Sequence, residues 1–178
     1  LMNLILTPRI GRFLSQNEWA SLREEYHQSR ILALLFALAG GTVLTVVGGW
    51  VLEWFGAYAS ALPILLILAA TYIAHVSFGM CGGYLNVAGY AGWTLFTTAL
   101  VLVTNVILNY LLIPVLGGKG AAIAMLASFI FTNTVTALLV KKLDDMNVYP
   151  VWVGVSATLC VGSLLLTSFG LLQASVSA

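Results

Sequence analysis

Charge is what this sequence lacks most. Only 7% of its 178 residues are Asp, Glu, Lys or Arg, against about 25% in an average soluble domain. Seven basic residues stand against six acidic ones, for a net charge of +1. That balance leaves no basic footprint for nucleic acid. Cysteine is nearly as scarce. Cys81 and Cys160 lie far apart in apolar stretches, which excludes a disulfide framework and a thiolate metal site. They read as membrane-buried thiols. No metal, cofactor or catalytic residue is expected. Acid–base or metal chemistry needs converging titratable groups, and His75 stands alone within the apolar runs. The alternating pattern of a membrane β-barrel is absent as well.

What the chain has is apolar length. It is 61% hydrophobic with a mean hydropathy of +1.02. The charges cluster and leave uncharged runs of about 20 residues, enough to cross a hydrocarbon core of about 30 Å. Lipid requires each spanning backbone to satisfy its own polar groups. The expected fold is therefore all-α: a polytopic transmembrane helical bundle of about five spans plus the end of a preceding one. The chain begins at Leu1 inside an apolar stretch without a basic leader, and reads as a piece of a longer protein.

Residues 1–14 read as the end of a spanning helix, broken at Thr7-Pro8 and followed by Arg9 and Arg12. In residues 15–30, Trp19, Leu22 and Tyr26 recur at helical spacing among charges. That pattern fits either an amphipathic helix lying at the interface or a solvated connector. The first full span covers 31–52, with Gly41, Thr45 and Gly49 as a small-residue stripe for a neighbouring helix. Trp50, Glu53 and Trp54 mark its end. The second span, 62–87, carries Thr71, Tyr72, His75, Gly79, Gly82 and Asn86 within a narrow arc at 100° per residue. The third runs from Trp93 and stops at Pro114, with Thr94, Thr97, Thr98, Asn105 and Asn109 on one face. The fourth, 120–140, presents Ala121, Ala124, Ser128, Thr132 and Thr136 together. A fifth, 148–172, lacks a polar stripe and belongs at the periphery.

Topology follows from the basic residues. Five spans put Arg9, Arg12, Arg23, Arg30, Lys141 and Lys142 on one side and Lys119 alone on the other. The positive-inside rule makes the first side cytoplasmic.

Particular motifs resemble a known family. Thr7-Pro8-Arg9-Ile10 with Asn17-Glu18-Trp19-Ala20-Ser21-Leu22-Arg23 resembles the end of the eighth helix in polysaccharide flippases. These belong to the multidrug/oligosaccharidyl-lipid/polysaccharide exporter superfamily. Val51-Leu52-Glu53-Trp54-Phe55-Gly56 resembles the end of their ninth. Asn105-Val-Ile-Leu-Asn109-Tyr-Leu-Leu-Ile-Pro114, then Gly120-Ala-Ala-Ile-Ala124, is similar to their eleventh and twelfth. The resemblance implies that residues 1–143 are C-terminal-lobe helices of a two-lobed transporter and that 144–178 add a peripheral helix. It implies alternating access in the inner membrane and a lipid-linked oligosaccharide or polysaccharide precursor as substrate. The implied partners are membrane lipids, an N-terminal lobe of the same protein, and a glycan polymerase or glycosyltransferases. Such flippases often carry a basic residue just after the glycine of the loop between the tenth and eleventh helices; here Tyr90 follows Gly89. No Arg or Lys lies between Arg30 and Lys119, or between Lys119 and Lys141. The cations that would meet a pyrophosphate then belong to the other lobe, or the substrate is less anionic.

The expected substrate cavity is lined by Thr71, Tyr72, His75 and Asn86 of the second span with Thr98 and Asn105 of the third. Polar groups several turns deep in a membrane helix point into a bundle or a watered cavity. For His75 the alternative is a hydrogen bond to a neighbouring helix. Two other functions fit the pattern: a drug or cation exporter of the same superfamily, and a non-transporting structural or assembly subunit whose polar stripes serve only packing.

Overall fold

A computed structural model describes residues 2–16, 18–54, 56, 61–78 and 81–144. All secondary structure among them is helical: α1 (Met2–Ser15), α2 (Trp19–Trp54), α3 (Leu62–Ser77), α4 (Cys81–Val87), α5 (Ala91–Leu116) and α6 (Gly118–Asp144). Three helices, α2, α5 and α6, are long and apolar enough to cross a membrane. A fourth span results if α3 and α4, bent by 45° against each other, count as one. The fold is thus a polytopic helical bundle. The expected fifth span, 148–172, lies outside the described residues.

The helices form a row. α2 packs on α3, α3 on α6, and α6 on α5, while α3 and α5 do not touch. The outer helices are apolar on the outside. Leu35, Phe36, Val46 and Trp50 of α2 and Leu95, Leu102, Val106 and Val115 of α5 are all exposed. A water-soluble bundle would hide such residues; a bundle in lipid presents them.

Where the backbones approach, side chains are small. On α6, Ala124 and Ser128 are fully buried and Thr132 and Thr136 nearly so. Ser128 and Thr136 turn their hydroxyls back to the carbonyls four residues earlier, at 2.7 and 2.8 Å. The Thr132 hydroxyl is buried with no hydrogen-bond partner among the described residues. On α2 the expected stripe holds at Gly41 and Gly49, which meet Ile73 and Leu62 of α3, but not at Thr45. Gly41 lies under Ile73 and Gly48 under Leu65 of α3, whereas Thr45 is exposed. Gly48, seven residues after Gly41, lies on the same contact line, and Thr45 lies off it.

Three expected boundaries move. α1 continues through Pro8, and α5 through Pro114. A proline removes one amide donor and one i−4 bond, and membrane helices tolerate that loss where neighbours take up the slack. α5 ends instead at Gly117, whose φ of 57° only glycine adopts without strain. The Gly117 amide closes the helix on the Ile113 carbonyl at 2.8 Å, and α6 starts at the next residue. Pro63 sits in the first turn of α3, where its missing donor costs nothing.

The third difference is larger. Residues 19–30 do not lie along an interface. They are the first turns of α2, a continuous helix of 36 residues. At about 1.5 Å per residue it spans about 54 Å, well beyond a hydrocarbon core of about 30 Å. Its charged turns project past the membrane. Leu22 and Tyr26 turn inward there and join Ile10, Cys81, Tyr84, Leu85 and Val140 in a buried cluster. The amphipathic face thus meets protein rather than lipid. An Arg9–Glu25 ion pair ties α1 to α2 beside it, worth at most about 1 kcal/mol at such exposure.

That cluster gathers the end of α1, the start of α2, α4 with the turn after it, and the end of α6. These are the segments that the basic residues assign to one side. At the opposite end Gly118 lies under Ile64, and Gly48 under Leu62 and Leu65. The helix ends sort as the charges do.

Candidate functional site

The polar face of α3 meets α6 rather than α5. His75, half-buried on the last full turn of α3, lies with Nδ1 3.0 Å from Asn133 Nδ2. The same Asn133 nitrogen donates to the Phe129 carbonyl at 2.7 Å. A carbonyl only accepts, so that atom is the amide nitrogen and not its oxygen. An amide nitrogen only donates, so His75 Nδ1 accepts and the ring proton sits on Nε2. The Phe129 ring stands against the imidazole at a centroid distance of 5.0 Å and a tilt of 50°. The result is an imidazole, an amide and an aromatic face within one turn of two packed membrane helices.

The other expected cavity residues divide around this site. Thr71, one turn before His75, is buried and donates to the Ile67 carbonyl at 2.8 Å. Tyr72 is 59% exposed. The arc of α3 thus runs from a buried hydroxyl through a half-buried imidazole to an open phenol. Asn86 is exposed on α4, beyond the bend, so it does not continue the α3 face. Thr98 is exposed on α5 and donates to the Thr94 carbonyl at 2.8 Å. Asn105 is half-buried, and its side-chain oxygen accepts from Asn109 Nδ2 at 2.8 Å. That nitrogen also reaches the Asn105 carbonyl at 2.9 Å. Thr71, Tyr72 and His75 form one group and Thr98 and Asn105 a second, with α6 between them.

Asn133 and Phe129 are the site residues that the sequence pattern does not single out. A stripe of small residues dominates α6 and draws the eye from Asn133. The usable signal is energetic. An amide in the middle of a membrane helix is costly unless another helix satisfies it.

A second polar group closes the end of the bundle that carries most of the basic residues. Tyr84 Oη of α4 donates to Asp144 Oδ2 at 2.7 Å. Tyr90 Oη, in the turn between α4 and α5, donates to Asp144 Oδ1 at 3.0 Å. The Asp144 hydrogen bond, followed by desolvation and the carboxylate's charge, holds the Tyr90 phenol above its usual range. No group of three His, Cys, Asp or Glu side chains able to hold a metal exists among the described residues.

Sequence similarity agrees with this architecture. A protein of Bacillus cereus named "Probable multidrug resistance protein NorM" is 36% identical over 87 residues, 46% of this chain and 19% of its own length. The chain thus spans about a fifth of that curated relative. No solved structure matches it. Residues 2–111 match the MatE family, more than half of the chain. With its apolar helices, the chain is therefore a multi-pass membrane segment that belongs to the MatE family of transporters, within the multidrug/oligosaccharidyl-lipid/polysaccharide exporter superfamily.

Proposed function

We propose that the chain forms most of the C-terminal lobe of an exporter of amphipathic organic compounds, organic cations among them. It works by alternating access in the inner membrane. The observation that carries this reading is the likeness to a protein named for multidrug resistance, beside a MatE match over residues 2–111. It favours the drug-exporter reading over the lipid-linked glycan reading.

The chemistry of the α3–α6 site is compatible with such cargo. It offers an aromatic face, an imidazole and an amide, and no fixed charge. A flat organic molecule is held by ring contact and one or two hydrogen bonds in such a place, and a cation by the face of Phe129. Interhelical hydrogen bonds in membranes average only about 0.6 kcal/mol. A ligand's donor or acceptor can replace Asn133 at His75 for a comparable cost, which suits a site that must release what it binds. Tyr72 borders this site and Thr71 backs it, whereas Thr98 and Asn105, across α6, and Asn86, beyond the bend, stand apart from it. The other lobe supplies the facing wall.

A second reading, the flipping of a lipid-linked glycan, rests on the order of the Asn105–Pro114 and Gly120–Ala124 motifs. It would bring glycosyltransferases or a polymerase as partners. The absence of Arg and Lys from residues 31–118 and 120–140 weighs against a pyrophosphate in this lobe.

The test uses the full-length protein in cells that lack their main efflux pumps. Efflux of a fluorescent organic cation is followed for wild type, His75→Ala and Asn133→Leu. Both variants should slow efflux several-fold at unchanged protein level. Normal efflux by both would remove the site from the pathway. A wild type that moves no organic cation but restores surface glycan to a flippase-deficient strain would establish the second reading.

A further inference from the structure

We infer that Asp144 is the catch of a latch that holds α4 against the end of α6 and is released when the cytoplasmic end of the lobe opens. The inference rests on the alternating-access reading above and concerns its regulation.

The latch has three parts. The first is the catch. One carboxylate receives two phenols, one on each oxygen: Tyr84 at 2.7 Å and Tyr90 at 3.0 Å. The donors lie 60 and 54 residues earlier in the chain. Hydrogen bonds to a carboxylate are stronger than those between neutral groups. Both are direct, so removal of either phenol leaves a carboxylate oxygen without that donor.

The second part is the element held. α4 has only seven residues, too few to be a stable helix alone. It stands at 45° to α3 and does not pack on it. On its other side the chain reverses at Gly89, whose φ is 85°. There Ala88 and Tyr90 close the turn on the Tyr84 and Leu85 carbonyls, each at 2.8 Å. What holds α4 is therefore its contact with α1, α5 and α6 and the Tyr26 and Leu22 side chains of α2, and the catch ties it to α6.

The third part is what the latch covers. Cys81, at the start of α4, is 2% exposed. It lies 3.3 Å from Tyr26 Oη, within the apolar cluster of Ile10, Leu22, Tyr84, Leu85 and Val140. This cluster joins α1, α2, α4 and α6 at the cytoplasmic end. Moving α4 away opens it and bares the thiol. A purely structural contact would never need to part during transport; a latch must.

The test uses the full-length transporter in inside-out vesicles, with every cysteine but Cys81 replaced by serine. A membrane-impermeant maleimide reports on the cluster. Tyr84→Phe with Tyr90→Phe should speed Cys81 labelling at least tenfold, and Tyr90→Phe alone should give a smaller rise. Labelling at the wild-type rate in the double variant overturns the latch. A second arm distinguishes opening from loosened packing. In a protein carrying Tyr90→Cys and Asp144→Cys, with Cys81→Ala, a short bis-methanethiosulfonate cross-linker, which forms a disulfide with each cysteine as methanesulfinate leaves, should abolish export, and reductant should restore it. Undiminished export by the bridged protein also overturns the latch. If the parent protein exports no organic cation, the functional reading fails by itself. The labelling arm still decides the latch.

Discussion

Gly120 is where this bundle has least room. A Cβ there would lie 2.3 Å from the Leu112 carbonyl oxygen and 2.6 Å from its carbon. Both are backbone atoms, so no rotamer change relieves the clash. Real Cβ contacts essentially never fall below 3.0 Å, so α5 and α6 must part by roughly 0.7 Å at least. The two helices are joined by Gly117 alone, which leaves no loop to absorb the movement. The separation would spread along the line of Ala124 and Ser128. Overpacking of this kind costs about 1–3 kcal/mol. The better helix preference of alanine returns at most about 1 kcal/mol. Gly120→Ala should therefore lose about 1–2 kcal/mol, about 5–30-fold in the folded ratio. Gly92→Ala is the matched control, because a Cβ there meets nothing within 4 Å. Ala124→Leu, at a fully buried position, enlarges the same perturbation and should cut folded yield. The assay is the thermal midpoint of the full-length protein by fluorescence-detected size-exclusion chromatography. A Gly120→Ala protein that melts as high as Gly92→Ala would refute the close packing of α5 on α6.

Two further outcomes are expected. A single cysteine placed at Lys119 should react with an impermeant reagent added outside intact cells, and one at Arg23 should not; the reverse pattern would invert the topology. The Tyr90 phenol, raised chiefly by its hydrogen bond to Asp144, should ionise above the usual value of about 10. Its contribution to stability is then complete below about pH 10 and disappears only as pH climbs through the raised value. Tyrosinate absorbance of wild type minus Tyr90→Phe measures this. A phenol that ionises at or below its ordinary value would show that the catch is absent in solution.

The elements that the sequence makes legible are those set by composition and by local pattern. Long uncharged runs announce the spans, because lipid penalises charge and unsatisfied backbone alike. The split of Lys119 from the other basic residues orders the helix ends, and the structure gathers the same segments at one end. Helix stops were less legible. Pro114 looks like a terminus because proline lacks a donor, yet a single missing bond is cheap beside the turn that a positive-φ Gly117 permits. The amphipathic run from Trp19 to Tyr26 was ambiguous for a different reason. Periodicity shows that a helix has an apolar face but not whether lipid or protein covers it. Only the neighbours from α1, α4 and α6 decide that Leu22 and Tyr26 face a core.

The site was half legible, and the division has a physical cause. His75 stands out because a histidine inside an apolar run needs a reason. The face it shares with Thr71 and Tyr72 follows from helical geometry alone. Its partner does not. Asn133 lies 58 residues away, on a helix whose smaller neighbours set the pattern. Nothing local says whether α3 meets α5 or α6. The row α2–α3–α6–α5 settles it, and that order depends on which helices can approach closely. Gly120 lets α5 lie against one side of α6, while Gly118 lets Ile64 of α3 settle on its first turn. The small residues that seem to serve only packing thereby choose the partner of the one intramembrane histidine. A substitution that disturbs the α6 interfaces, such as Ala124→Leu, should therefore weaken the His75–Asn133 pair without touching either residue. Loss of export per folded molecule in that variant, beyond its loss of folded yield, would trace the chain from packing to site, whereas full export per folded molecule would show that the site does not depend on how closely α6 is held.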